Sequence, residues 1–319
     1  MNKVIIDGLS FALPLFIMAI GGIYSEKSGV MNLALEGLQG VGAFTGALVA
    51  ILLMPHFAAN SQFPYYMAML FSMIGGAIYA LLYALLCIRF QANQVIGGVV
   101  INIMAPALTA FLTKTINRGL FGAASDKFEL GVSARWTVPG ISKIPVLGAV
   151  FTNIYPFEII IIVAAVIVWY LLYKTRFGLR LRACGDNPHA VDAAGVDVAW
   201  IRYRAVMISG ALSGLAGMSF AYSISGKFSG SVYVGYGFLS IAAMIFGNWK
   251  IVPTLFACLL FGFARSGGYQ IVQMAGLPSS YSDLIMILPY VLTLLLLVFF
   301  SKHNRPPRAV GEIYDKGKR

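Results

Sequence analysis

Phe157-Glu-Ile-Ile-Ile-Ile-Val-Ala-Ala-Val-Ile-Val-Trp-Tyr-Leu-Leu-Tyr-Lys174 runs straight into Thr175-Arg-Phe-Gly-Leu-Arg-Leu-Arg182. An almost unbroken apolar stretch close to the length of a membrane span ends in a burst of positive charge. A helical span needs about 20 mostly apolar residues, and basic clusters beside a span mark its cytoplasmic side. The pattern recurs outward from here, with spans read near 4–23, 30–54, 64–88, 96–113, 157–173, 204–224, 234–249, 251–267 and 283–300. The runs are long and continuous, unlike the alternating strands of a membrane barrel.

Composition agrees. The 319 residues are 59% hydrophobic and only 11% charged, against about 25% charged in an ordinary soluble domain. Such a chain takes lipid as its solvent. The net charge of +11 does not indicate a nucleic-acid partner, because no basic stripe stands on a soluble domain. It gathers instead at Lys174, Arg176, Arg180, Arg182, Arg202 and Arg204, and at Lys302, Arg305, Arg308, Lys316, Lys318 and Arg319 in the tail. Placing both groups inside puts Arg89 and the Glu26-Lys27 turn inside and the N-terminus outside. The loop 114–156 is then external despite Lys114, Arg118, Lys127, Arg135 and Lys143. Its Gly119–Gly122, Pro139-Gly140 and Ile144-Pro145 predict irregular structure with short amphipathic pieces.

Cys87, Cys184 and Cys258 fit no zinc or redox spacing. Met1 to Ile23 lacks the basic start of a cleavable signal. Small residues at helix-packing intervals (Ser209, Ser213 and Gly217; Gly210 and Gly214; Gly42 and Gly46) predict close helix contacts in lipid. A faint repeat relates Glu36-Gly-Leu-Gln-Gly-Val-Gly-Ala-Phe to Tyr236-Gly-Phe-Leu-Ser-Ile-Ala-Ala-Met, 200 residues apart. The two run in opposite senses through the membrane, as inverted repeats of transporters do.

The polar insert between the fifth and sixth spans is the most defined segment. Asn187 suits a helix N-cap and Pro188 the first helical position. His189 to Ala194 can form a short helix, Gly195 a left-handed stop, and Asp197 the cap of the next helix. A connecting loop needs no such definition; a handle gripped from the cytoplasm does.

The pattern Gly178-Leu-Arg-Leu-Arg-Ala-Cys-Gly-Asp-Asn-Pro-His-Ala-Val-Asp-Ala-Ala-Gly195, with Ser209-Gly-Ala-Leu-Ser-Gly-Leu-Ala-Gly217, resembles permease subunits of bacterial ABC importers of the branched-chain amino acid, ribose and nucleoside type. Ser28-Gly-Val-Met-Asn-Leu-Ala-Leu-Glu-Gly37, Asn93–Asn102 and Gly235–Ala242 fit the same family, most closely its nucleoside branch. The resemblance covers nearly all of the chain except 114–156 and the tail. It implies an all-α integral membrane protein, a polytopic bundle of about 9–10 transmembrane helices in two inverted halves with a cytoplasmic coupling helix. One transmembrane domain would span 1–303, with 114–156 outside, 174–204 as the cytoplasmic coupling segment and 304–319 as a cytoplasmic tail. It also implies a bacterial cell membrane and three protein partners: an ABC ATPase, a second, different permease and a solute-binding lipoprotein. Arg182, Gly185, Asn187, Pro188, Ala194 and Gly195 are the positions that would couple to the ATPase. The chain has no phosphate-binding Gly-x-x-x-x-Gly-Lys loop, so ATP belongs to the partner and no cofactor is expected in this chain.

For a neutral nucleoside, a pathway wants amides, hydroxyls and aromatic faces. Asn32, Gln39, Asn93, Gln94 and Asn102 could supply amides. Tyr236 and Phe238, with Tyr222, Phe228 and Tyr233, could stack. Glu36, seven residues into its span, either lines the pathway or pairs within the bundle; Asp7 and Asp283 lie near span ends. Alternatives remain open: a ribose or branched-chain amino acid permease, or an ion-coupled carrier. The carrier needs an intramembrane relay, yet His56, His189 and His303 all fall in loops. A membrane enzyme lacks any metal-ligand or Ser/His arrangement.

Overall fold

The structure is a computed structural model describing residues 2–58, 61–131, 135–137, 152–231, 233–276, 278, 280–300 and 304–315. Pro139-Gly140 and Ile144-Pro145 lie outside the described residues. The chain is helical nearly throughout. Helix α1 is Asn2–Glu26, α2 Leu35–Leu53, α3 Phe63–Ala84 and α4 Gln94–Phe121. After the segment that follows α4 come α5 (Pro156–Lys174), α6 (Arg176–Asp186), α7 (Pro188–Ala193) and α8 (Val198–Phe220). Then follow α9 (Tyr236–Phe246), α10 (Ile251–Met274) and α11 (Ser280–Phe300). Among the described residues seven helices are long and apolar enough to cross a membrane, and α11, 21 residues long, has the length of another span.

Helix α8 is the axis. In its most apolar window 83% of residues are buried, against 28% in α4 at the periphery. The small residues read from the sequence lie where α8 meets its neighbours. A Cβ on Gly42 of α2 would overlap Gly214 of α8, and one on Gly210 would overlap Gly76 of α3. Backbones this close gain dispersion and packing, the contacts that hold helices together where lipid removes the hydrophobic drive.

Several boundaries differ from the sequence expectation: the span expected at 204–224 starts as helix at Val198, the one expected at 251–267 runs on to Met274, and three others differ as well. The span expected at 30–54 begins as helix only at Leu35, after a turn and irregular stretch over 27–34. The span expected at 96–113 continues to Phe121, where Gly122 in the left-handed conformation (φ 68°) ends it. The apolar run 234–249 holds a helix of 11 residues, about 16 Å long, roughly half the hydrocarbon thickness. Gly235 (φ 91°) precedes it, and Asn248 and Trp249 turn left-handed after it. Beyond α4, Phe128–Glu129 (β1) pairs antiparallel with Lys227–Phe228 (β2), so the segment after α4 lies over the loop leading to α9.

The other end of the bundle gathers the 27–34 turn, α6, α7 and the chain terminus. The Ala309 N–H donates to Gly185 O (2.8 Å), Gly311 N–H to Gly29 O (3.1 Å) and Arg305 N–H to Asn248 Oδ1 (2.9 Å). Residues 304–315 therefore form a strap across this end, where the sequence suggested only a charged tail.

Candidate functional site: a central helix junction and an end-on handle

Helices α2 and α9 both start from irregular backbone, and their first turns meet. Glu36, the second residue of α2, accepts the Gly235 N–H through Oε2 (2.8 Å), and a Cβ on Gly237 would lie 2.5 Å from Glu36 Cβ. The weak sequence repeat that aligns Glu36 with Tyr236 thus aligns two helix starts that touch. Unpaired N–H groups and the helix dipole both favour a carboxylate there. A Cβ on Gly235 would run into the Tyr290 hydroxyl, and one on Gly40 into that of Tyr233. Tyrosines from α11 and from the 226–235 loop therefore crowd the junction. Tyr236 is buried, its ring packed on Phe11 (5.1 Å) and Phe220 (4.8 Å).

Helix α2 has no cap of its own at Ala34, and amides from elsewhere replace it. Asn102 of α4 accepts the Gly37 N–H (2.7 Å) and donates to Leu33 O (2.6 Å). Asn32 accepts the Ala34 N–H (3.0 Å) and donates to Ser209 Oγ (2.9 Å) on α8. Gln94 accepts the Met31 N–H (2.7 Å). These three expected pathway amides are placed as the frame of the broken entry to α2. Asn93 is apart from the junction, capping α4 by accepting from Val95 and Ile96. Gln39 is fully buried against α8, and neither its amide oxygen nor its nitrogen has a partner; the buried Ser213 hydroxyl on α8 is likewise unpartnered. Phe238 is half-exposed on the outer side of α9.

At the other end, the insert has the chemistry its punctuation indicated. Thr175 caps α6 by accepting the Gly178 N–H (3.2 Å). Asn187 caps α7 by accepting the Ala190 N–H (3.0 Å), with Pro188 first in the helix. Ala194 ends α7, and Gly195 takes φ 76°. The Val196 N–H donates to Val191 O (3.2 Å) and the Gly195 N–H to Asp192 O (2.8 Å), the paired bonds of a Schellman stop. Asp197 then caps α8 at the Trp200 N–H (3.0 Å). The exposed surface of α7 carries His189, Ala190, Ala193 and Ala194. Arg182 lies on α6 with its guanidinium 5.6 Å from the Tyr173 ring. Gly185 is buried so tightly that a Cβ would overlap Lys27 O. Burial lowers the Lys27 ammonium from its ordinary value, and the nearby Asp186 opposes it. Burial also holds the Cys184 thiol up at about 11, so it stays protonated and unreactive.

The strap braces this handle. Arg202 of α8 donates to Ser28 O (3.1 Å) and Glu312 O (3.3 Å), and the Tyr314 ring lies 5.3 Å from that of His189 on α7. The bundle thus combines small-residue helix contacts, two helix starts that meet at Glu36 and Gly235, and a doubly capped short helix at one end.

The family described as "Branched-chain amino acid transport system / permease component" matches residues 4–297. The chain belongs to that family. It is a multi-pass cell-membrane permease of the ABC type, a transport component. This permease is 38% identical over 315 residues to the guanosine ABC transporter permease protein NupQ of Bacillus subtilis, covering 98% of the chain and 96% of that protein. It is 36% identical over 318 residues to the nucleoside ABC transporter permease protein NupC of Lactococcus lactis, covering 99% and 97%. The putative glucose ABC transporter permease protein TsgC13 of Haloferax volcanii is 29% identical over 255 residues, covering 79% and 72%. No solved structure matches the permease.

The sequence reading passed over two buried or partly buried ionic groups in the permease's spans. Glu158 of α5 is buried and accepts from Ser10 Oγ (2.7 Å). Arg265 lies within α10. The signal was present: a lone charge inside an apolar run is a functional candidate whichever its sign.

Proposed function

We propose that this permease forms the nucleoside pathway of an ATP-driven importer, working with an ABC ATPase, a second and different permease chain and an external solute-binding lipoprotein. The observation that carries the reading is α7. Six residues are capped by Asn187 at one end and closed by Gly195 at the other, with a small-residue face left exposed. That is a rigid handle for a motor supplied by another subunit. Full-length likeness to permeases named for nucleosides supports the substrate class. ATP-driven movement of α6 and α7 would reach the Glu36–Gly235 junction through α8, which carries both the Arg202 anchor of the strap and the Ser209 anchor of Asn32.

Glu36, Gln39, Tyr236 and the amides around them are the proposed pathway, and Arg182, Gly185, Asn187, Pro188, Ala194 and Gly195 the proposed coupling surface. The test is ATP-dependent uptake of a labelled nucleoside by proteoliposomes holding the whole importer. Competition by unlabelled nucleosides is expected. Competition by ribose or leucine alone overturns the substrate class. Uptake by this chain alone, driven by a proton or sodium gradient, overturns the importer.

A further inference from the structure

Arg265 lies about 20 Å along α10 from its start at Ile251, at 1.5 Å per residue. It is nine residues from the other end of that helix at Met274, and a cation within a span is costly unless paired or facing a polar cavity. Among the described residues no carboxylate lies within ion-pair distance of Arg265. Its guanidinium lies over the Phe11 ring (4.3 Å) and near those of Tyr269 (5.6 Å) and Tyr236 (5.8 Å). Its one hydrogen bond is a long one to the Tyr236 hydroxyl (3.4 Å). A guanidinium has five donors in a fixed fork, so most of its donor capacity is unused.

Those donors face a cavity of about 340 Å³ at the end of the bundle opposite α7, lined by Asp7, Phe11, Tyr155, Ser223, Arg265 and Tyr269 among others. The volume falls within the ~300–1,000 Å³ range of small-molecule sites. The sequence spacing builds it. Asp7 and Phe11 are one turn apart on α1, and Arg265 and Tyr269 one turn apart on α10. The two ladders are brought together because α1 and α10 touch at Gly8 and Gly262, where any Cβ would overlap the facing helix. The Ser223 hydroxyl in its wall has no hydrogen-bond partner. Aromatic faces, an unpaired donor fork, a carboxylate acceptor and an idle hydroxyl suit a flat, uncharged ring with acceptors on one edge and hydroxyls on its other part.

We infer that this cavity is an entry subsite for the base of an incoming nucleoside, with Arg265 selecting bases that present two adjacent acceptors. The inference rests on the nucleoside reading and adds a specificity to it. A 6-oxopurine offers O6 and N7 to the fork; adenine offers N7 beside an N6 donor and mismatches it. Stacking on Phe11 or Tyr269 is available to every base, so the fork carries the discrimination. Lysine reproduces it only in part, because an ammonium can reach the same two acceptors but lacks the planar fork.

Proteoliposomes holding the complete importer, given tritiated guanosine and tritiated adenosine in separate assays, test this. Arg265→Gln, whose amide suits adenine instead, is expected to lower the guanosine-to-adenosine uptake ratio about 5- to 150-fold, the range for loss of one bidentate contact, and Arg265→Lys to lower it less. An unchanged ratio in a variant that still co-purifies with the ATPase overturns the subsite, including the case where both uptakes fall together. If Arg265→Gln does not assemble, Arg265→Met, which keeps the stem over Phe11 but has no donor, takes its place; an unchanged ratio there overturns the subsite too. Absence of all nucleoside uptake in the unaltered importer sinks the nucleoside reading itself, and this subsite with it.

Discussion

The carboxylate of Glu36 accepts the N–H of Gly235 at 2.8 Å, joining two helix starts that are 199 residues apart in the chain. A hydrogen bond to a charged acceptor contributes about 1.5–3 kcal/mol, a neutral one about 0.5–1.5. Glu36→Gln should therefore weaken the junction and Glu36→Ala should break it. Uptake by the whole importer should fall in that order, with the detergent-solubilised complex losing a few degrees of Tm. Equal activity in all three proteins would mean that the junction has no part in transport.

Gly237 tests the same contact by steric means. A Cβ there would sit 2.5 Å from Glu36 Cβ, closer than side chains approach. Gly237→Ala should force α9 away from α2 and reduce uptake several-fold. Gly119→Ala is the control: near the end of α4 nothing lies within 4 Å of its added Cβ, and alanine favours helix by about 1 kcal/mol. That variant should match or slightly exceed the unaltered protein in Tm.

The caps around α7 were legible in the sequence because each depends on residues within four positions: Asn187 with Ala190, Gly195 with Asp192. Local chemistry is enough there. The length of α9 was not legible, because hydropathy counts Val234 and 247–249 as span while Gly235, Asn248 and Trp249 turn the backbone out of helix. The work of Asn32 and Asn102 was also hidden. Their partners are Ser209 on a remote helix and backbone at Leu33 and Gly37, so composition offers them as pathway amides and only the packed bundle shows them holding backbone. Arg265 was passed over although it is a charge in an apolar run, and its aromatic surroundings come from Phe11 and Tyr236 on other helices.

Gly195 separates handle from loop. Its φ of 76° costs an ordinary L-residue about 1–2 kcal/mol, while asparagine visits that region more readily. No atom lies near its added Cβ, so conformation alone sets the outcome. Gly195→Asn should transport nearly as the unaltered protein does. Gly195→Val should lower transport per ATP hydrolysed, measured by uptake and phosphate release in the same vesicles. Equal coupling in the valine variant would show that the stop of α7 is not needed.

The strap supplies the last test. Removing residues 304–319 deletes the Ala309 bond to Gly185, the Gly311 bond to Gly29 and the Tyr314 ring from beside His189. Each joins the terminus to α6, to the 27–34 turn or to α7, so the handle would lose its brace while the spans kept their glycine contacts. Hydrogen exchange over 185–195 should rise, with protection of α8 retained. Tyr314→Ala should reproduce part of the effect and Tyr314→Phe less of it, since phenylalanine keeps the ring beside His189 and loses only the hydroxyl that interacts with Asp192 of α7. Unchanged exchange over 185–195 after truncation would make the strap a passenger on this face. A rise in exchange with unchanged coupling would show that α7 works without being held, and the rigidity of its caps would then have to be sufficient by itself.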